Sequence, residues 1–296
     1  MRSMTPLICI WLAAAVASAI DRTVTVDLAA FGSMQHNGRP AMVELQLPAV
    51  IEPGRRYPLI VWLSGGPGDH RTAACPFADI NDAIIIALPF LTATVKTREQ
   101  LDAEAAAANG APALPMINGP FTPWTFYRAA INAALERAPA VDPRRRVLAG
   151  FSNGAIAIGY LFDQSDRAVF DEFDSFVLFS AAMPVLRFDR FNGKQLLGII
   201  GENDNPRWKA QLRRLCDGVV AAGGRSEYWE MPHRGHELPD EFRRRAATWI
   251  LDRWRTADGS DPAAERDDSS GQVDEQRADG DQVKDVAGRE YAVPEI

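Results

Sequence analysis

Five residues carry the most direct chemical signal in the chain: Gly150-Phe151-Ser152-Asn153-Gly154, a G-x-S-x-G pentapeptide. A serine hydroxyl is a weak nucleophile until it is lifted clear of its surroundings and set beside a base. Turning a strand into a helix within a few residues lifts it, and this strains the serine backbone. Side chains two positions to either side would collide in so tight a turn, and glycine stands at both places. The flanks fit. Val147-Leu148-Ala149 is a short apolar run with the character of a buried strand, and Ala155 to Phe162 is apolar almost all round, as a buried helix is. Such a helix aims its free N–H groups and positive dipole end at negative charge developing beside Ser152. The plainer alternative is a glycine-flanked helix N-cap.

A nucleophilic serine needs a base, and the base needs a group to orient it. The chain has four histidines. His36 falls in a turn between the first two expected strands, and His70 follows the glycine-rich stretch after the third. His233 and His236 both follow the last expected strand, where a loop can swing a side chain over the sheet edge toward Ser152. His236 is preferred because Gly235 beside it permits a tight approach, with His233 as the alternative. The orienting carboxylate is expected at the carboxyl end of a strand lying between serine and histidine in the chain. Leu196 to Ile200, then Gly201-Glu202-Asn203-Asp204, supplies Asp204, with Glu202 and Asp189 as rivals. A helix cap ahead of Pro206 is the bland reading of Asp204. An oxyanion would be held by the backbone N–H of Asn153 and by one from the loop after the third strand. There Gly65 and Gly66 allow close approach, and Gly66 is the expected donor. No Lys-Ser/Thr follows these glycines, which excludes a P-loop.

The elements that must position these residues are legible as alternating strands and helices. Thr23 to Leu28 and Ala41 to Leu47 read as an antiparallel edge hairpin. Pro58 to Leu63, Ala83 to Leu88, Phe176 to Ser180 and Leu196 to Ile200 are continuous apolar runs, typical of strands covered on both faces. Trp124 to Arg137, Pro206 to Ala222 and Pro239 to Arg255 read as helices, and Glu227 to Met231 as the last strand. This alternation implies an α/β fold with a mostly parallel central sheet and helices on both faces. Residues 91–122 interrupt the rhythm. A connection of that length over the carboxyl ends of the strands is expected to form a short cap or pocket wall, with Phe90, Leu91, Phe121 and Trp124 at its borders.

At 296 residues and 47% hydrophobic side chains the chain can bury a substantial core. Residues 1–19 combine Arg2, an apolar run and Ala17-Ser18-Ala19, the pattern of a secretory signal peptide, so a secreted or periplasmic protein is expected. Residues 256–296 hold twelve acidic against four basic side chains and few large apolar ones. This composition is that of a disordered tail. Its charge accounts for the net charge of −7, so residues 20–255 are near neutral and a nucleic-acid partner is excluded. No membrane span is expected once the signal peptide is gone. Cys75 and Cys216 are left either as one disulfide or as two buried thiols.

The order Ser152, Asp204, His236, with a glycine-rich oxyanion loop upstream, resembles the α/β-hydrolase superfamily over about residues 40 to 255. The elbow Gly-Phe-Ser-Asn-Gly is similar to that of secreted feruloyl-esterase and polyhydroxybutyrate-depolymerase-like esterases. Such families often carry His-Gly ahead of the oxyanion loop, where this chain has Ser64-Gly65. The resemblance implies a serine hydrolase that cleaves a small or polymer-derived carboxylic ester through an acyl-enzyme and needs no metal or organic cofactor. A serine peptidase of the same fold, or a binding module without chemistry, are the alternatives.

Overall fold

The computed structural model describes residues 23–27, 35–36, 39–40, 42–66, 71, 75–88, 124–163 and 167–257. The expected cap at 91–122, the signal peptide, His70 and the chain after Ala257 lie outside them.

The strands are β1 (Thr23–Asp27), β2 (Gln35–His36), β3 (Arg39–Pro40), β4 (Met42–Gln46), β5 (Tyr57–Leu63), β6 (Ile84–Leu88), β7 (Val141–Phe151), β8 (Ser175–Phe179), β9 (Gln195–Gly201) and β10 (Arg225–Met231). The helices are α1 (Trp124–Leu135), α2 (Asn153–Phe162), α3 (Ala168–Glu172), α4 (Pro206–Ala221) and α5 (Asp240–Ala257). Eight strands form one sheet in the order β1-β4-β6-β5-β7-β8-β9-β10. Strands β1 and β4 pair antiparallel at one edge, as the hairpin pattern predicts, and β4 is antiparallel to β6. The run from β6 to β10 is parallel throughout. The short hairpin of β2 and β3 lies between β1 and β4 in sequence.

The continuous apolar runs sit in the middle of the sheet because their side chains alternate between two cores. In β5, Leu59, Val61 and Leu63 join a cluster with α1, α2, α3 and α4, while Ile60 and Trp62 join one with α5. The first cluster contains the rings of Phe162, Phe170, Phe176 and Phe191, with Phe162 and Phe176 at 4.9 Å edge to face. The second has Trp62 edge-on to Phe77 and Phe179 at 6.1 and 6.0 Å. Each such aromatic pair adds about 0.5–1.5 kcal/mol beyond its burial. Trp124, expected at the border of the cap, belongs to the first core: it is 3% exposed and packs edge-on against Phe173. Cys75 and Cys216 are free, buried thiols in different clusters, so two thiols is the observed alternative.

Several boundaries differ from expectation by one or two residues, such as the start of β10 at Arg225 and the end of α1 at Leu135, and one differs by more. Strand β7 begins at Val141 rather than Val147, because the chain enters the sheet early: Tyr57 pairs with Val141 and Leu59 with Arg146, the register shifting between the two pairs. Helix α5 runs on through Thr256 and Ala257, two residues that charge composition had assigned to the tail.

Strand register aligns the functional loops. Leu63 is opposite Gly150, Phe151 opposite Phe179, Phe179 opposite Ile199, and Gly201 opposite Met231. The loops leaving β5, β7, β9 and β10 therefore rise together from the carboxyl edge of the sheet, where open α/β sheets bind their ligands.

Candidate active site

Ser152 sits between β7 and α2 with φ 53° and ψ −117°, a conformation that costs a non-glycine residue about 1–3 kcal/mol. The surroundings hold it there. Its N–H donates to Phe179 O at 2.9 Å, and its carbonyl accepts from Ile156 N at 2.9 Å. The two elbow glycines are required for different reasons. A Cβ on Gly150 would lie 2.7 Å from the Gly154 backbone, the collision within the turn that the sequence predicts. A Cβ on Gly154 would instead meet Leu63 O at 2.0 Å, so this glycine lets α2 press onto the end of β5. Although Ser152 occupies the N-cap position of α2, its side chain makes no capping hydrogen bond. The hydroxyl is left for another partner.

That partner is His236. Ser152 Oγ donates to His236 Nε2 at 2.8 Å, and His236 Nδ1 donates to Asp204, at 3.1 Å from Oδ2 and 3.2 Å from Oδ1. Ser152 and Asp204 are buried at 8% and 6% exposure, and the His236 side chain is 37% exposed. Asp204 is not the cap of α4. Asn205 is, its side chain accepting from Arg207 N at 2.9 Å ahead of Pro206. One carboxylate oxygen of Asp204 also accepts from Asn205 N at 2.7 Å, which fixes its orientation.

The rival candidates pair with each other. Glu202 Oε2 accepts from His233 N at 2.6 Å and lies 3.4 Å from His233 Nδ1, and His233 stands at φ 60° with its side chain in solvent. Asp189 is exposed on the 3-10 turn Phe188–Phe191, and His36 pairs through β2 with Arg39. Further bonds tie the two loops together: Glu202 N to Met231 O at 3.0 Å and Asn203 N to Arg234 O at 2.8 Å. Lys209 adds a link from α4, donating to Glu202 O and to Glu230 Oε1.

Gly235 is not the glycine that the close approach beside His236 requires. Among the described residues, none but its own chain neighbours comes within 4 Å of where a Cβ on Gly235 would stand, and its φ is not positive. The tight approach occurs at Gly201, whose Cβ would meet Gly235 O at 2.2 Å and Arg234 O at 2.5 Å.

The loop after β5 reaches the same place. A Cβ on Gly65 would touch the Phe151 ring at 2.7 Å and Ser152 Cβ at 2.9 Å, while Gly66 takes φ +59°. Gly66 O accepts from the Asn153 side chain at 3.0 Å, so the two expected oxyanion donors belong to hydrogen-bonded neighbours. Ser64, at the usual histidine position, is buried and donates its N–H to Leu88 O, anchoring the loop to β6. Sequence reasoning missed two aromatic neighbours of the imidazole, Phe151 and Trp208, with ring centroids at 5.2 and 5.1 Å. Trp208 stands in the first turn of α4, four residues after Asp204, a spacing that could have drawn attention to it.

An imidazole bonded at one nitrogen to a carboxylate and at the other to a serine hydroxyl can take the hydroxyl proton as the oxygen attacks a carbonyl. Sheet order, helix placement and the turn at Ser152 together make this the α/β-hydrolase fold. No protein-family profile and no curated protein matches the chain. Solved structures do. A thermostable esterase superposes with a TM-score of 0.53 at 16% identity, over 79% of this chain and 64% of its own. A ferulic acid esterase does so at 0.52 and 15%, over 79% and 97%. A puromycin hydrolase mutant matches at 0.52 and 14%, over 77% of this chain and 39% of its own. The chain thus spans under two thirds of the first of these and well under half of the last, and at such identities the likeness is one of fold.

Proposed function

We propose that this protein is a serine hydrolase that cleaves carboxylic esters through an acyl-enzyme. Ser152 Oγ attacks the ester carbonyl, and His236 Nε2 takes the hydroxyl proton and returns it to the leaving alcohol. Asp204 holds the imidazole tautomer and balances the imidazolium charge. The N–H groups of Asn153 and Gly66 receive the oxyanion. Water then enters, gives its proton to His236, and releases the acid and Ser152. The observation that carries this reading is the 2.8 Å contact of Ser152 Oγ with an imidazole whose other nitrogen is held by a buried carboxylate. The same proposal puts the reaction outside the cytoplasm, and the signal-peptide pattern in the sequence of residues 1–19 is what supports it.

A fluorophosphonate probe tests it, because it labels only an activated serine. Labelling and hydrolysis of p-nitrophenyl acetate are expected in the wild type and lost by several orders of magnitude in Ser152→Ala. Retained ester hydrolysis in Ser152→Ala would refute the assignment, and a wild type that never labels would favour a binding module. The likeness to a puromycin hydrolase supports a second reading, cleavage of an amide or peptide bond. Parallel assays on short aryl esters and on proline-containing peptides separate the two.

A further inference from the structure

The hydrogen bonds of His236 leave one motion open. Bonds at Nε2 to Ser152 and at Nδ1 to Asp204 hold the resting imidazole, but once the Nε2 contact with Ser152 is broken during the reaction they do not bar the ring from turning about its Cβ–Cγ bond. The lone pair that receives a proton points outward from Nε2 in the ring plane, so such a turn carries it out of line with the O–H direction and weakens the bond. The loop does not prevent this. The His236 side chain is 37% exposed, and Gly235 before it brings no side chain to pack. Two rings on different elements do lie against the imidazole. Phe151, at the end of β7, is tilted 31° to it, and Trp208, on α4, is tilted 41°. Both rings are anchored: Phe151 packs on the α5 core and Trp208 on the core of the other face.

We propose that Trp208 is a positioning residue: its indole, together with the Phe151 ring, holds the plane of the His236 imidazole so that Nε2 stays aimed at Ser152 Oγ. This rests on the reading of Ser152, His236 and Asp204 as the catalytic groups. The same ring acts again during the reaction. When His236 takes the serine proton it becomes a cation, and an aromatic ring system within about 6 Å stabilises that charge. Both effects are realised in the transition state rather than in the bound substrate, so they fall on kcat.

Trp208→Leu removes the ring and keeps apolar bulk, while Trp208→Phe keeps a ring. In the full chain, with p-nitrophenyl acetate, Trp208→Leu is expected to lower kcat about tenfold or more. KM should stay within about twofold, and Trp208→Phe should recover most of the rate. Melting curves establish that each variant is folded; if Trp208→Leu does not fold, Trp208→Met makes the same comparison. Unchanged kcat in Trp208→Leu overturns the proposal, as does a raised KM at constant kcat, which would make Trp208 a substrate contact. Equal losses in the leucine and phenylalanine variants also overturn it. Ser152→Ala, measured alongside, separates the two levels. If it keeps activity, the catalytic reading itself fails. If it is inactive while Trp208→Leu turns over at the wild-type rate, only the positioning role fails.

Discussion

Replacing Gly201 by alanine tests how the two loops at the site are held. Gly201 ends β9, and its Cβ would stand 2.2 Å from Gly235 O and 2.5 Å from Arg234 O. Both are backbone atoms and cannot rotate aside. Real Cβ contacts essentially never fall under 3.0 Å, so the contact must open from 2.2 to 3.0 Å, about 0.8 Å. Strand β9 is buried between β8 and β10 and has little room to move, which leaves the loop 232–236 at the exposed rim to shift. That loop carries His236. Transmitted to the imidazole, such a shift takes the 2.8 Å contact with Ser152 to roughly 3.6 Å, beyond a hydrogen bond. A misplacement approaching 1 Å costs about 10²-fold in rate, and overpacking costs about 1–3 kcal/mol in stability. Gly201→Ala is therefore expected to lower kcat/KM for p-nitrophenyl acetate by about two orders of magnitude and to melt several degrees early. Gly235→Ala, next to His236 in sequence but with no described residue beyond its chain neighbours within 4 Å of its Cβ, should change neither. Wild-type turnover in Gly201→Ala, or equal damage from Gly235→Ala, would refute the steric argument.

Asp142 gives a pH-dependent prediction. Burial pushes its carboxyl pKa up, but the Arg144 N–H at 2.9 Å and the Arg145 guanidinium at 2.7 Å outweigh this and hold it below the usual value. A depressed folded pKa stabilises above the unfolded pKa of about 4 and loses that contribution as pH falls through the folded value. Asp142→Asn should thus cost about 1.5–3 kcal/mol at pH 7, with the gap closing in acid; a gap in denaturation midpoint as wide at pH 3 would contradict this. Burial also raises the Cys75 thiol to about 12 and the Cys216 thiol to about 11, so neither should react with a disulfide reagent at pH 8 until the chain unfolds. Rapid labelling of either in the folded protein, located by mass spectrometry, would be the contrary result. A chain ending at Ala257 should keep its melting temperature and esterase rate, since residues 258–296 offer no apolar stripe to pack. A fall in either would move the domain boundary.

The fold was legible in the chain because its signals are local. A strand covered on both faces must be apolar at successive positions, and Pro58 to Leu63 and Leu196 to Ile200 announce such strands without reference to anything distant. The turn at Ser152 is local too, since the strand, the glycines and the apolar helix are contiguous. Pro206 and Gly223-Gly224 bound α4 in the same way, although the cap ahead of the proline is Asn205 and not Asp204. The start of β7 at Val141 was not legible, because it depends on pairing with Tyr57, in a strand far away in sequence.

At the site, composition and order narrowed the partners of Ser152 to two histidines and a few carboxylates, and tertiary structure made the selection. Which of His233 and His236 stands beside the serine is decided by hydrogen bonds between two loops some thirty residues apart. Those bonds turn Glu202 toward His233 and leave Asp204 for His236. The same cause moved the tight approach from Gly235 to Gly201, and it brought the Trp208 ring to the imidazole from another element. A sequence specifies what each residue can do and what its near neighbours allow. Which side chains meet across two loops is settled by the register of β9 against β10, where Gly201 stands opposite Met231. That register is a property of the packed sheet as a whole, and neither strand carries it alone.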